Sequence, residues 1–370
     1  MGVGIDDRPP PATPATPPRR AVNLPRSLRT PSGDGVPIAT SASRRVRARR
    51  RRALAALVVA GALATAGAPS AQVGADRPVR LVVGVAPGGG PDLAARTLAE
   101  GLQGELGLRV IVENRPGADG AIAARSVAGA PPDGSTLLYA LASQMVINPA
   151  VYANPGYDPQ RDFAPVSLVA RQPVLLVVNP AVPATSVREF VAYTKERPGT
   201  VDYSTSTSTF MLAGEQFVRI TGANMQNIPF NGGSVASLTA VISGTVEASM
   251  ASGPTAIQAA RDGRLRVLAV SGAARLDDLP DVSTFAEAGV AGFDIPVWSA
   301  VFAPVGTPRP VVDRLNAAIV RVLRAPAVAK RFRTSVETVV ASTPEELAET
   351  LARDGARTRD LVARIGLVPR

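Results

Sequence analysis

Val79–Asp92, VRLVVGVAPGGGPD, decides the fold. An apolar run through Val79, Leu81, Val82, Val83 and Val85 stops at Pro87-Gly88-Gly89-Gly90-Pro91. From Asp92 onward Leu93, Ala94, Leu98, Ala99, Leu102 and Leu106 recur at helical spacing. The pattern predicts a buried strand, a glycine turn and a helix that points its N-terminus back over the strand end. The first N–H groups of a helix lack internal partners, and the helix dipole leaves partial positive charge there. Glycines keep side chains out of the way. A carboxylate or phosphate can therefore be held on Gly88–Asp92 by main chain alone. The competing reading is an ordinary strand-to-helix turn that happens to be rich in glycine.

The same unit repeats downstream. Leu108–Glu113 reads as a second strand, Asn114–Gly120 as a turn into an Ala-rich helix, and Thr136–Ala140 as a third strand that delivers Ser143 and Gln144 to the same edge. Strand and helix alternating over short connections predict a parallel sheet with right-handed crossovers, its ligand beyond the carboxyl ends of the strands. Phe163–Ala170 and Val174–Val178 are further strands, and Asn179-Pro180 is the expected crossing into a second lobe. There, a strand at Val201–Tyr203 runs into Ser204-Thr205-Ser206-Thr207-Ser208-Thr209 ahead of another helix. Six successive hydroxyl residues surround a second helix N-terminus with donors, although any one of them can equally be a plain N-cap. Phe230-Asn231-Gly232-Gly233-Ser234 is a third such turn, and Ser252-Gly253-Pro254 follows a strand at Val246–Met250. Phe293–Phe302, with the single Trp298, is the expected return crossing, and Trp298 reads as a hinge or core residue. Capping boxes at Ser186–Glu189 and Thr343–Glu346 open two more helices.

Composition removes most chemistry. The chain has no Cys and no His, which excludes thiol nucleophiles, zinc–thiolate sites and the usual catalytic triads. Lys195 and Lys330 are the only lysines, both in charged helical settings. No cofactor or metal is expected.

The N-terminal region reads as an address label. Residues 1–43 are rich in Pro, Ser, Thr and Arg without apolar period, an extension that is disordered or lies upstream of the true start, such as a GTG codon read as Val36 or Val46. Arg44–Arg52 is strongly basic, Ala53–Ala66 is apolar but too short to span a bilayer, and Val73-Gly74-Ala75 is a small-x-small site. Residues 44–75 are thus a signal peptide cleaved near Ala75. They and the extension hold 12 of the 40 basic and 3 of the 30 acidic residues, so residues 76–370 are close to neutral and no nucleic-acid partner is indicated.

Arg77-Pro78-Val79-Arg80, Pro87–Asp92, Val112–Gly120, Pro132–Leu138, Ile147-Asn148-Pro149, Tyr157-Asp158-Pro159, Asp162–Val166, Leu212–Glu215, Leu279–Val282 and Pro304–Pro308, in that order, resemble the Bug family of extracytoplasmic solute receptors over essentially all of residues 76–370. The resemblance implies an α/β, type II-like periplasmic binding protein. Its two βα lobes, 76–178 plus 301–370 and 179–300, are joined by crossing segments and close on a small carboxylated solute between them. It also implies a periplasmic monomer serving a permease of the tripartite tricarboxylate type. Carried over by position, the ligand lies against Pro87, Gly88, Gly89, Gly90 and Asp92 in one lobe and Ser204, Thr205, Ser206, Thr207 and Ser208 in the other. Gly232 and Gly233 support it, and Ser143 and Ser252 stand at the same edges. The family's second loop alternates Ser and Gly and ends in His; here it is all Ser and Thr, about two residues shorter, with Met211 at the His position.

Two rival activities are weaker. The glycine turn with Glu113 about 20 residues on mimics a dinucleotide fingerprint, which would make the chain an exported NAD(P)-dependent oxidoreductase. Yet the third glycine is missing and Pro91 stiffens the turn. A hydrolase built on a serine of 204–208 lacks a base.

Overall fold

The computed structural model divides into two units, Met1–Ala68 and Pro69–Arg370. It describes residues 77–230 and 233–369, all in the second unit. The extension, the signal peptide and Gly232 lie outside the described residues.

Two sheets organise the described chain. The first contains β1 (Val79–Val83), β2 (Val110–Asn114), β3 (Thr136–Leu141), β4 (Phe163–Arg171), β10 (Trp298–Pro304) and β11 (Thr338–Val339), in the order β11-β4-β10-β3-β1-β2. The second contains β5 (Val174–Val178), β6 (Asp202–Thr205), β7 (Gln226–Pro229), β8 (Ala248–Ser252) and β9 (Arg266–Val270), in the order β7-β6-β8-β5-β9. In each sheet three strands run parallel, and the strand that arrives from the other lobe, β10 or β5, lies antiparallel to its neighbours. This exchange of one strand each way makes a two-lobed, type II-like fold.

The exchange moves the first crossing. Val174–Val178 pairs with β8 and β9 in the second sheet, so the chain changes lobes at residues 172–173 and not at Asn179-Pro180. The return ends just before Trp298, the first residue of β10, which pairs with Arg171. The two crossings touch: the Gln172 N–H donates to the Val297 carbonyl at 3.1 Å.

Helices cover both faces of both sheets, which is why β1 is apolar without alternation. Val79, Leu81 and Val83 pack with Leu98 and Leu102 of α1 (Gly90–Leu106) and with Leu315 and Ile319 of the later helix Arg309–Arg324. Val82, on the opposite face, packs with Ala123 and Ala124 of α2 (Ala121–Ala128). A π-helical turn, Ser143–Ile147, leads into α3 (Asn148–Val151). The second lobe adds α4 (Val187–Glu196), α5 (Ser208–Thr221), α6 (Gly233–Ile242) and α7 (Gly253–Arg261). After the return come α8 (Arg309–Arg324), α9 (Pro326–Thr334) and α10 (Pro344–Ile365). Thr343 and Glu346 form the complete capping box the sequence predicts for α10. At α4 Ser186 caps Glu189 N–H, but the Glu189 carboxylate turns to Thr185 instead of closing the box. The last helix packs on β4 and also reaches α5 in the other lobe. Trp298 is buried where these parts meet, its indole N–H donating to Asp354 Oδ2 of α10 at 3.0 Å.

Candidate functional site

The loop after β1 is built before any ligand is considered. Asp92, 1% exposed, accepts from the Gly88 N–H at 2.9 Å and from Arg96 Nε at 2.9 Å on Oδ2, and from Asn114 Nδ2 at 2.8 Å on Oδ1. Asn114 also donates to the Val85 carbonyl at 3.1 Å, so the end of β2 clamps the loop that leaves β1. Hydrogen bonds from Arg96, Gly88 and Asn114 lower the Asp92 carboxyl below its ordinary value despite burial. Asp92 therefore ties the loop to α1 and to the end of β2. Gly90 starts the helix, leaving Pro87, Gly88, Gly89 and Pro91 facing a cavity.

The two glycines at the tip differ. Gly88 has φ +87°, a conformation that side chains disfavour. Gly89 has φ −77° and ψ 164°, ordinary extended geometry, and an added Cβ would meet only Ala86 O and Pro91 Cδ at 3.9 Å. Neither backbone nor packing requires glycine at 89, and the space it leaves belongs to the cavity.

That cavity, about 250 Å³, is walled by both lobes. The first lobe contributes Val85–Gly89, Pro91 and Leu141–Ser143; the second contributes Ser206, Thr207, Gly233–Val235 and Ser252; and Gln172, Val297 and Trp298 close it from the crossings. Four helices start on it. The N-caps of α1, α5 and α7 are Gly89, Thr207 and Ser252, and none bears a side-chain cap bond; α6 starts at Gly233. Away from the cavity, α4 and α10 carry side-chain caps, whereas α2, α3, α8 and α9 carry none. Ser143 and Thr207, which line the same space from opposite lobes, each carry a buried hydroxyl oxygen without a hydrogen-bond partner. Unmade hydrogen bonds at buried oxygens are costly.

The hydroxyl loop divides its labour. Ser204 is wholly buried and donates to the Ser237 carbonyl at 3.0 Å. Thr205 Oγ1 donates to Asn227 Oδ1 at 2.8 Å. Ser208, first residue of α5, bridges the lobes. Its N–H donates to Asp119 Oδ2 at 2.7 Å and its Oγ to Asn148 Oδ1 at 2.7 Å, while Asn148 Nδ2 donates to the Asp119 carbonyl at 3.0 Å. Burial raises the Asp119 carboxyl, with the Ser208 bonds pulling the other way. Thr205, Ser206, Thr207, Ser208, Gly233 and Asp119 line a neighbouring cavity of about 450 Å³ that shares Val85, Ala86, Ser206, Thr207 and Gly233 with the first.

Of the residues expected at the site, Pro87, Gly88, Gly89, Ser143, Ser206, Thr207, Gly233 and Ser252 meet around the first cavity, and Thr205 and Ser208 face only the second. Gly90, Asp92 and Ser204 line neither. Sequence reasoning missed the Asp119–Ser208–Asn148 bridge, and it missed Phe210, Leu141 and Gln172 as walls; Trp298 lines the cavity as well as the core. The dinucleotide reading loses its acidic residue: Glu113 is taken up by Arg80 and Arg115, at 2.6 Å each, and held below its ordinary value, by Arg115 first. A larger groove of about 570 Å³ runs behind the crossings. Its Arg353, Arg357 and Arg364 are paired with Asp354, Asp294 and Asp360.

Comparison with known proteins agrees with this architecture. The model of the tripartite tricarboxylate transporter family receptor matches residues 94–367. Protein BugT of Bordetella pertussis is 34% identical over 311 residues, 82% of this chain and 95% of that protein. Among solved structures, R. palustris Rpa4515 with adipate is 33% identical with a TM-score of 0.76, covering 80% of this chain and 99% of that one. Periplasmic binding protein BugD is 30% identical with a TM-score of 0.74, covering 79% and 98% respectively.

Proposed function

The chain belongs to the tripartite tricarboxylate transporter receptor family, the Bug proteins, and from that premise we propose that it captures a small carboxylate-bearing metabolite in the periplasm by closing its two lobes. It hands the solute to a permease of the tripartite tricarboxylate type, acts as a monomer and turns nothing over. The basic block and apolar run ahead of Ala75 support export. The adipate held by a 33% identical structure supports the ligand class.

One observation carries the reading: four helix N-termini, those of α1, α5, α6 and α7, converge on a cavity walled by both lobes and lined by hydroxyl residues from each. Main-chain dipoles and neutral hydroxyls aimed at one point stabilise an anion without a countercharge. Closure matters because neither lobe alone supplies the full set. Pro87, Gly88, Gly89 and Ser143 grip from one side; Ser206, Thr207, Gly233 and Ser252 grip from the other. Thr205 and Ser208 act at the rim, and Gly90, Asp92 and Ser204 hold the loops in shape.

Gly89→Val tests this directly. The backbone at 89 accepts a side chain, so the variant folds, but its methyl groups occupy the anion's place. The expected loss of affinity is about 100-fold, equivalent to roughly 3 kcal/mol, read by titration calorimetry with small organic acids. Unchanged affinity in a folded variant places the site elsewhere.

A further inference from the structure

Within the proposed function, and resting on it, we infer the class of carboxylate: one whose far end carries a cationic amine, received by Asp119 in the cavity that adjoins the glycine loop.

The two cavities form one path. They share Val85, Ala86, Ser206, Thr207 and Gly233, so a solute anchored by its carboxylate at Gly88 and Gly89 runs past the hydroxyl loop into the second space. Among the described lining of both, Asp119 is the charged residue. Its Oδ2 accepts the Ser208 N–H from the other lobe at 2.7 Å. Ser208 supplies the hydrogen bonds that hold the carboxylate, and no described arginine or lysine joins them. Burial raises the carboxyl above its ordinary value, as expected of a charge enclosed without a counterion.

The backbone bends against preference to present this group. Gly117, Ala118, Asp119 and Gly120 have φ of +122°, +47°, +49° and +80°. Four successive residues of positive φ, two of them bearing side chains, are costly and persist only where the surroundings hold them. Aspartate is one of the few residues with a side chain that visits this region readily. The turn carries its carboxylate to the wall between the lobes.

An ammonium there gains more than it would in an ordinary buried pair. Two ions taken out of water together can lose as much by desolvation as they gain by attraction. Asp119 is enclosed by lobe closure itself, through its bond to Ser208, so its desolvation belongs to closure with any acid. Only the amine's desolvation is then set against the pairing, and a pair enclosed in this way is screened little by salt. The solute's two ends are met by different means: main-chain amides and hydroxyls for the carboxylate, a fixed negative charge for the amine.

Matched acids of increasing length test this: β-alanine against propionate, γ-aminobutyrate against butyrate, and ε-aminocaproate against caproate. Each is titrated calorimetrically at neutral pH into the mature protein and into Asp119→Asn and Gly89→Val, with circular dichroism confirming that each variant is folded. Asparagine tolerates the same backbone conformation and still accepts from Ser208, so Asp119→Asn removes the charge alone. Closure enters both members of a pair equally, and their affinity ratio isolates the amine. In at least one pair the amino acid is expected to bind tighter by about tenfold or more, the ratio falling to near one in Asp119→Asn and both members weakening in Gly89→Val. A smaller ratio in every pair of the parent protein, or one that survives Asp119→Asn, overturns the amine assignment; binding that stays sensitive to Gly89→Val then leaves the solute-binding function standing. Absence of binding by all six acids below about 1 mM, or binding indifferent to both variants, overturns the function and the assignment together.

Discussion

Glu337 lies 5% exposed between α9 and β11, with Oε2 lacking a hydrogen-bond partner, and burial pushes its carboxyl up to about 8. Burial first, and then the charge of Glu337, push the Tyr139 hydroxyl above its usual range. In the unfolded chain a glutamate titrates near its ordinary 4.5. The folded state therefore binds the proton more tightly, and between those two values stability falls as pH rises, by up to roughly 1.4 kcal/mol per pH unit. Glu337→Gln is expected to flatten that slope and raise stability at pH 8; urea denaturation at pH 5 and pH 8 measures it. At this scale the sequence names loops that meet around one cavity but not every residue's duty. Six hydroxyls in a row look alike on paper. Where β6 ends and α5 begins decides that Ser204 bonds inward to Ser237, Ser206 and Thr207 face the cavity, and Ser208 reaches the other lobe. Asp92 is a second case: beside the glycines in sequence, its carboxylate accepts from Gly88, Arg96 and Asn114, a set that no local pattern spells out.

Among the elements, α5 lies tight against β6. A Cβ at Gly214 would come within 2.2 Å of the Tyr203 ring, which is fully buried in β6 and bonded to Glu215. Gly214→Ala is expected to cost about 1–3 kcal/mol in chemical denaturation, since the ring cannot move aside. That glycine appears in the sequence as part of Leu212-Ala213-Gly214-Glu215, without a stated reason; the reason is an approach between helix and strand that local pattern does not encode. Local pattern did deliver the strand–turn–helix units, because apolar runs and glycine punctuation are nearest-neighbour signals. It misplaced β5, whose five apolar residues suit the centre of any buried sheet. Its partners β8 and β9 lie some 70 to 100 residues further along, so membership is settled by pairing that no short window contains.

Across the whole molecule, the lobes meet through the triangle of Asp119, Asn148 and Ser208 as well as through the guest's cavity. Ser208→Ala removes the hydroxyl that satisfies buried Asn148 and disfavours the closed form by about 1–2 kcal/mol. Carboxylate affinity is expected to fall about tenfold with little change in thermal stability. Small-angle scattering of the liganded variant should report a more extended particle than the parent.

The neutral lining also bears on where such a receptor can work. A binding site made of ion pairs loses strength as dissolved salt screens it, and a site ringed by charge draws in its target at a speed set by the medium. Here the first cavity's described walls hold no formal charge. Retention then depends little on ionic strength, and capture proceeds at much the same pace in dilute or brackish surroundings.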